Sequence, residues 1–437
     1  MTSNQNPVHA SLHALSVDRT GLEPSVERLG NGCPVALFRD PSFDILRLDF
    51  VFEAGSAYQP RPLVASAALQ LFSEGTRHRS AQAVADFLDQ RGIVVSKDTD
   101  MVSSCVTVYT LKRYATELLP LLKELLTEPA FDAVEFERFR DKKRQQLREG
   151  LQKTPNVAQA LFYETLYGSA HPMGRHAVPD DADRLSLEEV RHFFARRFDL
   201  GQARMTLSGN FDDATWHCFA DTFGTATGHA ETLDRLSPEA LAALPKPAAV
   251  RRQALDGAVQ STLRVGRLLP WRWDDPRYCD FQVLNTLLGG YFGSRLMSNI
   301  REEKGYTYGI YSQCRLSRGS TAFCITADVG GDVTDAALDE VYAEVQRLCD
   351  EPVAEEELTL VKNYMIGDFI RSIDGTLERA ERYRSMQAAC LSERFTEQLL
   401  QAIDTVTPDR LQAVANEVLQ RKELSEIVVG VTQTTEG

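Results

Sequence analysis

Patterns of apolar and polar residues divide the first half of the chain into short strands and longer helices. Apolar residues at every second position are typical of a half-buried strand, and apolar residues three or four positions apart are typical of a helix. These patterns predict strands at residues 45–52, 93–96, 101–111 and 203–207, and helices at 63–72, 81–90, 113–128, 135–149 and 186–197.

The second half of the chain repeats this order of elements. A strand is followed by a helix, two neighbouring strands, further helices and a closing strand. The pattern predicts strands at 263–269, 306–313, 321–329 and 426–431, and helices at 280–288, 336–349, 355–373 and 408–419.

Two pairs of matching segments connect the halves. Glu128 and Glu351 each precede a proline and then a long helix, at an offset of 223 residues (351 − 128). Ser186 and Thr407 each resemble the N-cap of a later helix, at an offset of 221 residues (407 − 186). Two distant matches at nearly one offset favour a duplicated domain, and chance similarity between helix starts is the alternative.

The mixture of strands with pairs of helices predicts an α+β fold. We expect two homologous domains, each a mostly antiparallel sheet with helices packed on one face. The domain boundaries are an N-terminal segment at 1–24, a first domain at 25–228, a linker at 229–258 and a second domain at 259–437.

Charge and hydropathy narrow the classes of function. The 437-residue chain has a net charge of −14, which argues against nucleic acid as the main partner and is compatible with basic peptides. No apolar stretch is long enough to span a membrane, so no membrane association is expected. The first residues have neither a basic nor an apolar targeting segment, and we expect a cytoplasmic protein.

Several short motifs follow one another in an order that resembles a known family. They are Ala54-Gly55-Ser56, Glu74-Gly75-Thr76, Tyr167-Gly168, His171-Pro172-Met173-Gly174-Arg175, segment 260–266, Leu287-Leu288-Gly289-Gly290, Ser294-Arg295-Leu296 and segment 300–308. Together they resemble the insulinase/pitrilysin family of zinc metallopeptidases over residues 25–432, with the stretch 287–308 as the most specific part.

The resemblance implies a zinc site that this chain does not keep. Active members hold zinc with an inverted H-x-x-E-H motif at a fixed distance before the Gly-Thr pair. At that distance this chain has Ser66 and Gln70 at the two histidine positions and Leu69 at the general-base position. The distant glutamate ligand would fall near Glu149. Two of the three protein ligands that a catalytic zinc needs are therefore replaced.

No other metal or nucleophile motif takes the place of the missing one. Of eight histidines, only His9 and His13 have the spacing of neighbours on one helix face, and they lie in a polar terminal segment without an acidic residue between them. The chain has no G-x-S-x-G elbow and no P-loop. We therefore expect no metal and no cofactor in this chain.

The second half keeps a different functional pair of the family. Arg301 and Tyr308 match the arginine and tyrosine with which family members hold substrate over the zinc of the first domain. Arg301 lies near a predicted helix end and Tyr308 at the start of the next strand, so both could reach one ligand group. The alternative is that Arg301 belongs to a solvated charged run and Tyr308 packs within the strand.

This combination favours a substrate-binding, non-catalytic subunit of a heterodimeric zinc peptidase. Its partner would be an insulinase-like subunit that carries H-x-x-E-H and the zinc, and its ligand a peptide. A structural or assembly protein of the same fold is the runner-up. An active peptidase is the third interpretation, but neither H-x-x-E-H nor H-E-x-x-H occurs in the chain.

The replaced ligands predict a zinc content well below one atom per chain. Ser66, Leu69 and Gln70 supply a hydroxyl, an alkyl group and an amide, none of which is a ligand for structural or catalytic zinc. Elemental analysis of tag-free protein measures this directly. One tightly held zinc per chain would contradict the prediction.

Overall fold

Two β-sheets form the framework of the chain in this computed structural model, which describes residues 12–226, 234–244, 246–389 and 391–431. The first sheet has six strands in the order β1-β2-β6-β3-β5-β4. Its strands are β1 (Ser25–Arg28), β2 (Pro34–Arg39), β3 (Ile45–Phe52), β4 (Val94–Thr99), β5 (Ser104–Leu111) and β6 (Arg204–Gly209). All neighbouring strands are antiparallel except β2 and β6, which are parallel.

The second sheet has five strands in the order β7-β11-β8-β10-β9. Its strands are β7 (Val250–Ala254), β8 (Gln260–Leu268), β9 (Thr307–Leu316), β10 (Thr321–Gly330) and β11 (Ser425–Gly430). Here β7 and β11 are parallel, and the other neighbours are antiparallel. The strand β9 lies at one edge of this sheet.

Helices connect the strands in both halves. In the first half they are α1 (Val64–Leu71), α2 (Ala81–Gln90), α3 (Ala115–Thr127), α4 (Ala133–Gly150), α5 (Thr154–Tyr167), α6 (Pro179–Arg184), α7 (Leu187–Arg197) and α8 (Asp213–Gly224). In the second half they are α9 (Pro276–Asn285), α10 (Thr334–Asp350), α11 (Glu355–Ser372), α12 (Thr376–Ala388), α13 (Glu393–Thr405) and α14 (Pro408–Val418).

The two halves have one strand order, as the repeated pattern predicted. Reading β2-β6-β3-β5-β4 beside β7-β11-β8-β10-β9 pairs each strand with its counterpart in chain order, including the single parallel pair. The α+β class with two related domains is confirmed. The strand β1 is an addition to the first sheet that the second sheet does not have.

One helix of each domain packs on the sheet of the other domain. The helix α5 packs on β8 and β11 through Val157, Ala158 and Phe162, which share a buried cluster with Ile427 and Val429. The counterpart α12 packs on β2, β3 and β6, and its Ala380 and Tyr383 meet Ala36 and Phe38. The prediction of helices on one face of each sheet thus applies to each domain taken alone. The other face of each sheet is covered by a helix of the other domain.

A buried group of charges lies under α12. Arg47 and Asp49 on β3 are only 2% and 1% exposed, although their alternation with leucines is typical of a solvated face. The Arg47 guanidinium donates to both Asp49 oxygens at 2.9 and 3.0 Å, and it also pairs with Glu381 on α12. Arg384 on the same helix lies 3.9 Å from Asp49. Each charge therefore has a partner of opposite sign.

The predicted linker, residues 229–258, differs from the structure at its end. It contains β7, which pairs with β11, so the second sheet begins before the predicted start at residue 259. All five residues of β7 are exposed, which is why no apolar alternation marks this edge strand. The first linker residues, 229–233, lie outside the described part of the chain.

In the predicted N-terminal segment, residues 1–24, the described residues 12–24 contact the second domain. The backbone N–H groups of Ala14 and Leu15 donate to the carboxylate of Asp404 at 2.6 and 3.0 Å. Ala14 is buried in the core of that domain. Within the described residues, no helix is long and apolar enough to cross a membrane.

The buried charges between the domains predict that replacing Arg47 lowers the free energy of unfolding more than replacing an exposed arginine does. Arg47→Met leaves Asp49 buried without its main partner, and we expect a loss of about 3–5 kcal/mol in the free energy of unfolding. Arg138→Met is the matched control, because Arg138 forms only an exposed pair with Glu135 on α4 and should cost less than about 1 kcal/mol. Urea unfolding with an unchanged m value measures both. Equal losses would contradict a stabilising role for the buried group.

Candidate functional site

The helix α1 holds the three residues at the positions of the zinc motif. It begins after Leu63, whose φ of +74° is left-handed, and the side chain of Gln59 accepts the N–H of Ala65 at 3.1 Å. Spacings of three and four residues place Ser66, Leu69 and Gln70 on neighbouring parts of one helix face. The local fold therefore puts these side chains where a ligand set on this helix would be.

The three side chains have separate environments. Ser66 is half-buried, and its hydroxyl donates to the Leu63 carbonyl at 3.0 Å. Leu69 is 1% exposed and is part of the core of the first domain. Gln70 is exposed at the end of the helix. A self-satisfied hydroxyl, a core alkyl group and a solvated amide do not fit a zinc ion.

A lysine occupies the C-terminal end of α1. The ammonium group of Lys97 on β4 donates to the Gln70 carbonyl at 3.0 Å and to the Ser73 hydroxyl at 2.5 Å. Burial lowers the pKa of Lys97 below its usual value. A cation at this position stabilises the unpaired carbonyls at the end of the helix.

The other suggested ligands do not complete a site. Glu149 is exposed on α4, where it accepts a hydrogen bond from the Gln145 amide at 2.8 Å. His9 lies outside the described residues, and His13 precedes a short turn packed on α13. Among residues whose placement is described, no group of three or more His, Cys, Asp and Glu side chains could hold a metal.

Beside Ser66, an open cavity of about 750 Å³ separates α1, the end of α4 and the first turns of α5. The loop 172–178 closes one side, and Gln253 and Arg315 of the second domain reach it from the other. Sequence reasoning did not predict this cavity. One signal was present, because Arg175 belongs to the motif His171-Pro172-Met173-Gly174-Arg175.

The loop that carries Arg175 is fixed by His171. The His171 Nδ1 accepts the Met173 N–H at 3.1 Å, so Nε2 carries the proton and donates to the Leu241 carbonyl at 3.0 Å. The imidazole also stacks on Tyr167, with ring centroids 4.8 Å apart. This histidine therefore has a structural role in the loop and is not a metal ligand.

Arg301 and Tyr308 lie on the surface of the second domain, on either side of one tight turn. The turn follows a π-helical segment, Met297–Glu303, and the Tyr306 N–H donates to the Ile300 carbonyl at 3.0 Å. Gly305 has a φ of +69°, which a residue with a side chain rarely adopts. The turn thereby brings the helix end close to the start of β9.

Tyr308 is directed to solvent, whereas Arg301 is half-buried. Tyr308 is 93% exposed at a β-bulge of the edge strand β9. The Arg301 guanidinium lies over the ring of Phe292 at 4.6 Å, and Phe292 is itself 60% exposed. Neither Arg301 nor Tyr308 lines the 750 Å³ cavity. Sequence reasoning missed Phe292, which lies in a glycine-rich turn without any periodic signal.

An arginine fork on an aromatic ring and a free phenol can donate several hydrogen bonds to one acceptor. Such donors suit a peptide carbonyl or the negative charge that develops on it during hydrolysis. Within the described part of the chain, no side-chain hydrogen bond uses either group. Their use as a ligand-binding pair remains a prediction.

Comparison with protein-family models identifies both halves. The model described as Insulinase (Peptidase family M16) matches residues 34–178. The model described as Peptidase M16 inactive domain matches residues 184–365. Together the two matches cover most of both sheets.

Two bacterial proteins illustrate the relatives of this chain. A Bacillus subtilis protein named uncharacterized zinc protease YmxG is 20% identical over 404 residues, which covers 89% of this chain and 94% of that protein. A Helicobacter pylori protein named non-peptidase homolog YmxG is 24% identical over 317 residues, or 68% of each chain.

Solved structures share the fold over nearly the whole chain. A crystal structure described as the peptidase M16 inactive domain from Pseudomonas fluorescens has a TM-score of 0.83 at 20% identity, covering 95% of this chain and 100% of that one. A structure described as a protease from Helicobacter pylori has a TM-score of 0.82 at 17% identity, with 93% and 100% coverage.

The burial of Leu69 predicts that a carboxylate cannot simply be returned to the general-base position. Leu69→Glu should lower the free energy of unfolding at pH 7 by about 3 kcal/mol or more, since it buries an unpaired charge. Gln70→Glu, the exposed neighbour, is the matched control and should change it by about 0.5 kcal/mol.

The same variant has a predictable pH dependence. A buried carboxyl has a raised pKa in the folded state. The loss in free energy of unfolding caused by Leu69→Glu therefore appears above the unfolded pKa of about 4.3 and shrinks as the pH falls toward that value. Urea unfolding at pH 7 and pH 4.5 tests this. A Leu69→Glu variant as stable as the control at pH 7 would show that α1 does not bury this position.

Proposed function

The chain belongs to the insulinase family of peptidases, family M16, as a non-catalytic member without the zinc motif, and we propose that it is one subunit of a heterodimeric zinc peptidase. In this proposal the chain acts in the cytoplasm, binds the peptide substrate and contributes contacts to the transition state. A zinc-bearing family member that carries H-x-x-E-H is its partner and supplies the metal-activated water.

The observation that carries the proposal is the exposed Tyr308, which lies across one tight turn from a half-buried Arg301 whose side chain makes no hydrogen bond within the described residues. A tyrosine that is 93% exposed adds little to the stability of the fold. The pair does not line the cavity beside α1 of its own chain, so it cannot act on a ligand held there. A surface pair of strong donors at an edge strand suits a ligand held by a second chain.

The two donors have distinct roles in this proposal. Arg301 would hold a substrate carbonyl with its planar fork, and the exposed ring of Phe292 would limit the orientations of the guanidinium. Tyr308 would donate its phenolic proton to the developing oxyanion. Neither step needs a metal or a base in this chain.

A structural or assembly role is the second candidate. It is favoured by the core position of Leu69, which shows that the first domain packs α1 without any catalytic group at this position. In that case the Arg301 and Tyr308 side chains would be surface residues without a ligand.

Copurification separates these two functions. The tagged chain isolated from its native cell should carry a zinc-bearing family member in one-to-one ratio, and the complex should cleave unstructured peptides in a chelator-sensitive way. The chain alone should show only background cleavage. A stable assembly that contains no zinc-bearing chain and no peptidase activity would favour the structural role.

Substitution of the donor pair tests its use. Arg301→Ala or Tyr308→Phe should lower turnover by the reconstituted pair about 10²–10³-fold, the effect of removing one donor from an oxyanion site. Arg301→Lys should not restore the turnover, because a point charge does not reproduce a planar fork. Thermal unfolding should be unchanged, since neither substitution opens a core cavity.

Matched variants control for general surface effects. Arg371→Ala removes another exposed arginine and Tyr364→Phe removes another phenolic oxygen, both on α11. Both should retain full turnover. If Arg301→Ala and Tyr308→Phe also retain it, the resemblance to the family pair is architectural only.

A further inference from the structure

The 750 Å³ cavity beside α1 has a charge opposite to that of the whole protein. The chain carries a net charge of −14. The charged side chains that line the cavity are the cations Lys143, Arg175 and Arg315 and a single carboxylate, Asp100. His176 lines it as well. A local excess of positive charge in an acidic protein concentrates anions at that place.

The one carboxylate of the cavity is already used by its own loop. One Asp100 oxygen accepts the N–H groups of Val102 and Ser103 at 2.6 and 2.7 Å. The other oxygen accepts the Ser103 hydroxyl at 2.8 Å. Asp100 thus closes the turn between β4 and β5 and does not neutralise the three cations through contact.

The three cations lack carboxylate partners. Within the described residues, none of them lies within ion-pair distance of an acidic side chain. Arg315 lies over the Tyr163 ring at 5.6 Å, and Arg175 makes one long hydrogen bond of 3.4 Å to the Ala170 carbonyl. Their remaining N–H donors are therefore available to a ligand.

The cations come from three separate parts of the fold. Lys143 lies on α4, Arg175 lies on the loop fixed by His171, and Arg315 lies on β9 of the second domain. Their convergence depends on the packing of α5 against the second sheet. A run of neighbouring surface lysines would need no such arrangement.

The other lining groups suit a peptide better than a small inorganic anion. Amide side chains line the cavity beside the cations and can pair with peptide N–H and C=O groups: Gln59, Gln146, Asn156, Gln159 and Gln253. Apolar side chains also line it, including Leu63, Met101 and Val157. The volume lies within the range of ordinary ligand sites, about 300–1,000 Å³.

We propose that this cavity binds an acidic peptide segment, with Arg175, Arg315 and Lys143 as anchors for its carboxylates. Of the three zinc-motif positions, only Ser66 lines this cavity. It lies apart from Arg301 and Tyr308 and does not require a partner subunit. The preference is opposite to the basic peptides with which the overall charge is compatible.

Binding to the isolated full-length chain tests the proposal. The probes are three fluorescein-labelled ten-residue peptides of alternating alanine with glutamate, glutamine or lysine. The glutamate peptide should bind at least about tenfold more tightly than the glutamine peptide, the effect of one charge-assisted hydrogen bond, and the lysine peptide should not bind. Rising salt concentration should weaken binding of the glutamate peptide.

Neighbouring lysines provide a matched control. Lys143→Gln should weaken binding of the glutamate peptide about tenfold, whereas Lys142→Gln removes the same charge from the same helix but outside the cavity and should leave binding unchanged. Arg175→Gln and Arg315→Gln should each act like Lys143→Gln. These side chains are not buried, and unchanged thermal unfolding would confirm that the variants fold.

Three outcomes would overturn the proposal. Equal binding of the glutamate and glutamine peptides would exclude recognition of carboxylates. Equal effects of Lys142→Gln and Lys143→Gln would indicate nonspecific attraction. Binding of inorganic phosphate as tight as that of the glutamate peptide, at equal ionic strength, would indicate a small-anion site. None of these outcomes bears on the reconstituted-pair test of Arg301 and Tyr308.

Discussion

The exchange of α5 and α12 between the domains is the constraint on which the rest of the structure depends. A sheet that carries its own helices on one face still exposes a second face to water. Here that face is covered by a helix of the other domain, so that Phe162 packs toward Ile427 and Ala380 toward Phe38. Because each helix follows directly on its own domain's long helix, neither domain can separate without uncovering both sheets.

The exchange also explains why charged residues occur inside the molecule. Arg47 and Asp49 on β3 face α12, which brings Glu381 to Arg47 and Arg384 to Asp49. At the other end of the same strand, Glu53 pairs with Arg318 of the second domain at 2.6 Å. Burial alone would raise the pKa of Glu53, but hydrogen bonds from Arg318 and Tyr58 outweigh it and lower the pKa. Such pairs stabilise only one alignment of the two domains, because a shifted alignment would bury unpaired charges.

Sequence patterns predicted β3 and α4 but missed, among other elements, α5 and α12, which pack between the domains. The strand β3 and the helix α4 were predicted almost to the residue from the spacing of their apolar residues, although the structure buries both faces of β3. The helix α5 contacts a foreign sheet as well as its own domain, and α12 carries charges that pair across the interface. Neither shows the clear one-sided periodicity that marks a helix in sequence. The expectation of helices on one face of each sheet likewise left out α12, which packs on β3 from the other domain.

The candidate sites also differ in whether they depend on one stretch of sequence or on contacts between distant segments. The absence of histidine and glutamate on α1 was visible in the sequence, whereas the burial of Leu69 and the convergence of Lys143, Arg175 and Arg315 depend on contacts between distant segments. At the α1 site the residue in the general-base position contributes to the core. Tyr308, by contrast, lies on an exposed edge strand and contributes little to packing, and the half-buried Arg301 packs on the exposed ring of Phe292. The general-base position is therefore filled by a core side chain in this domain, while Arg301 and Tyr308 make no side-chain hydrogen bond within the described residues.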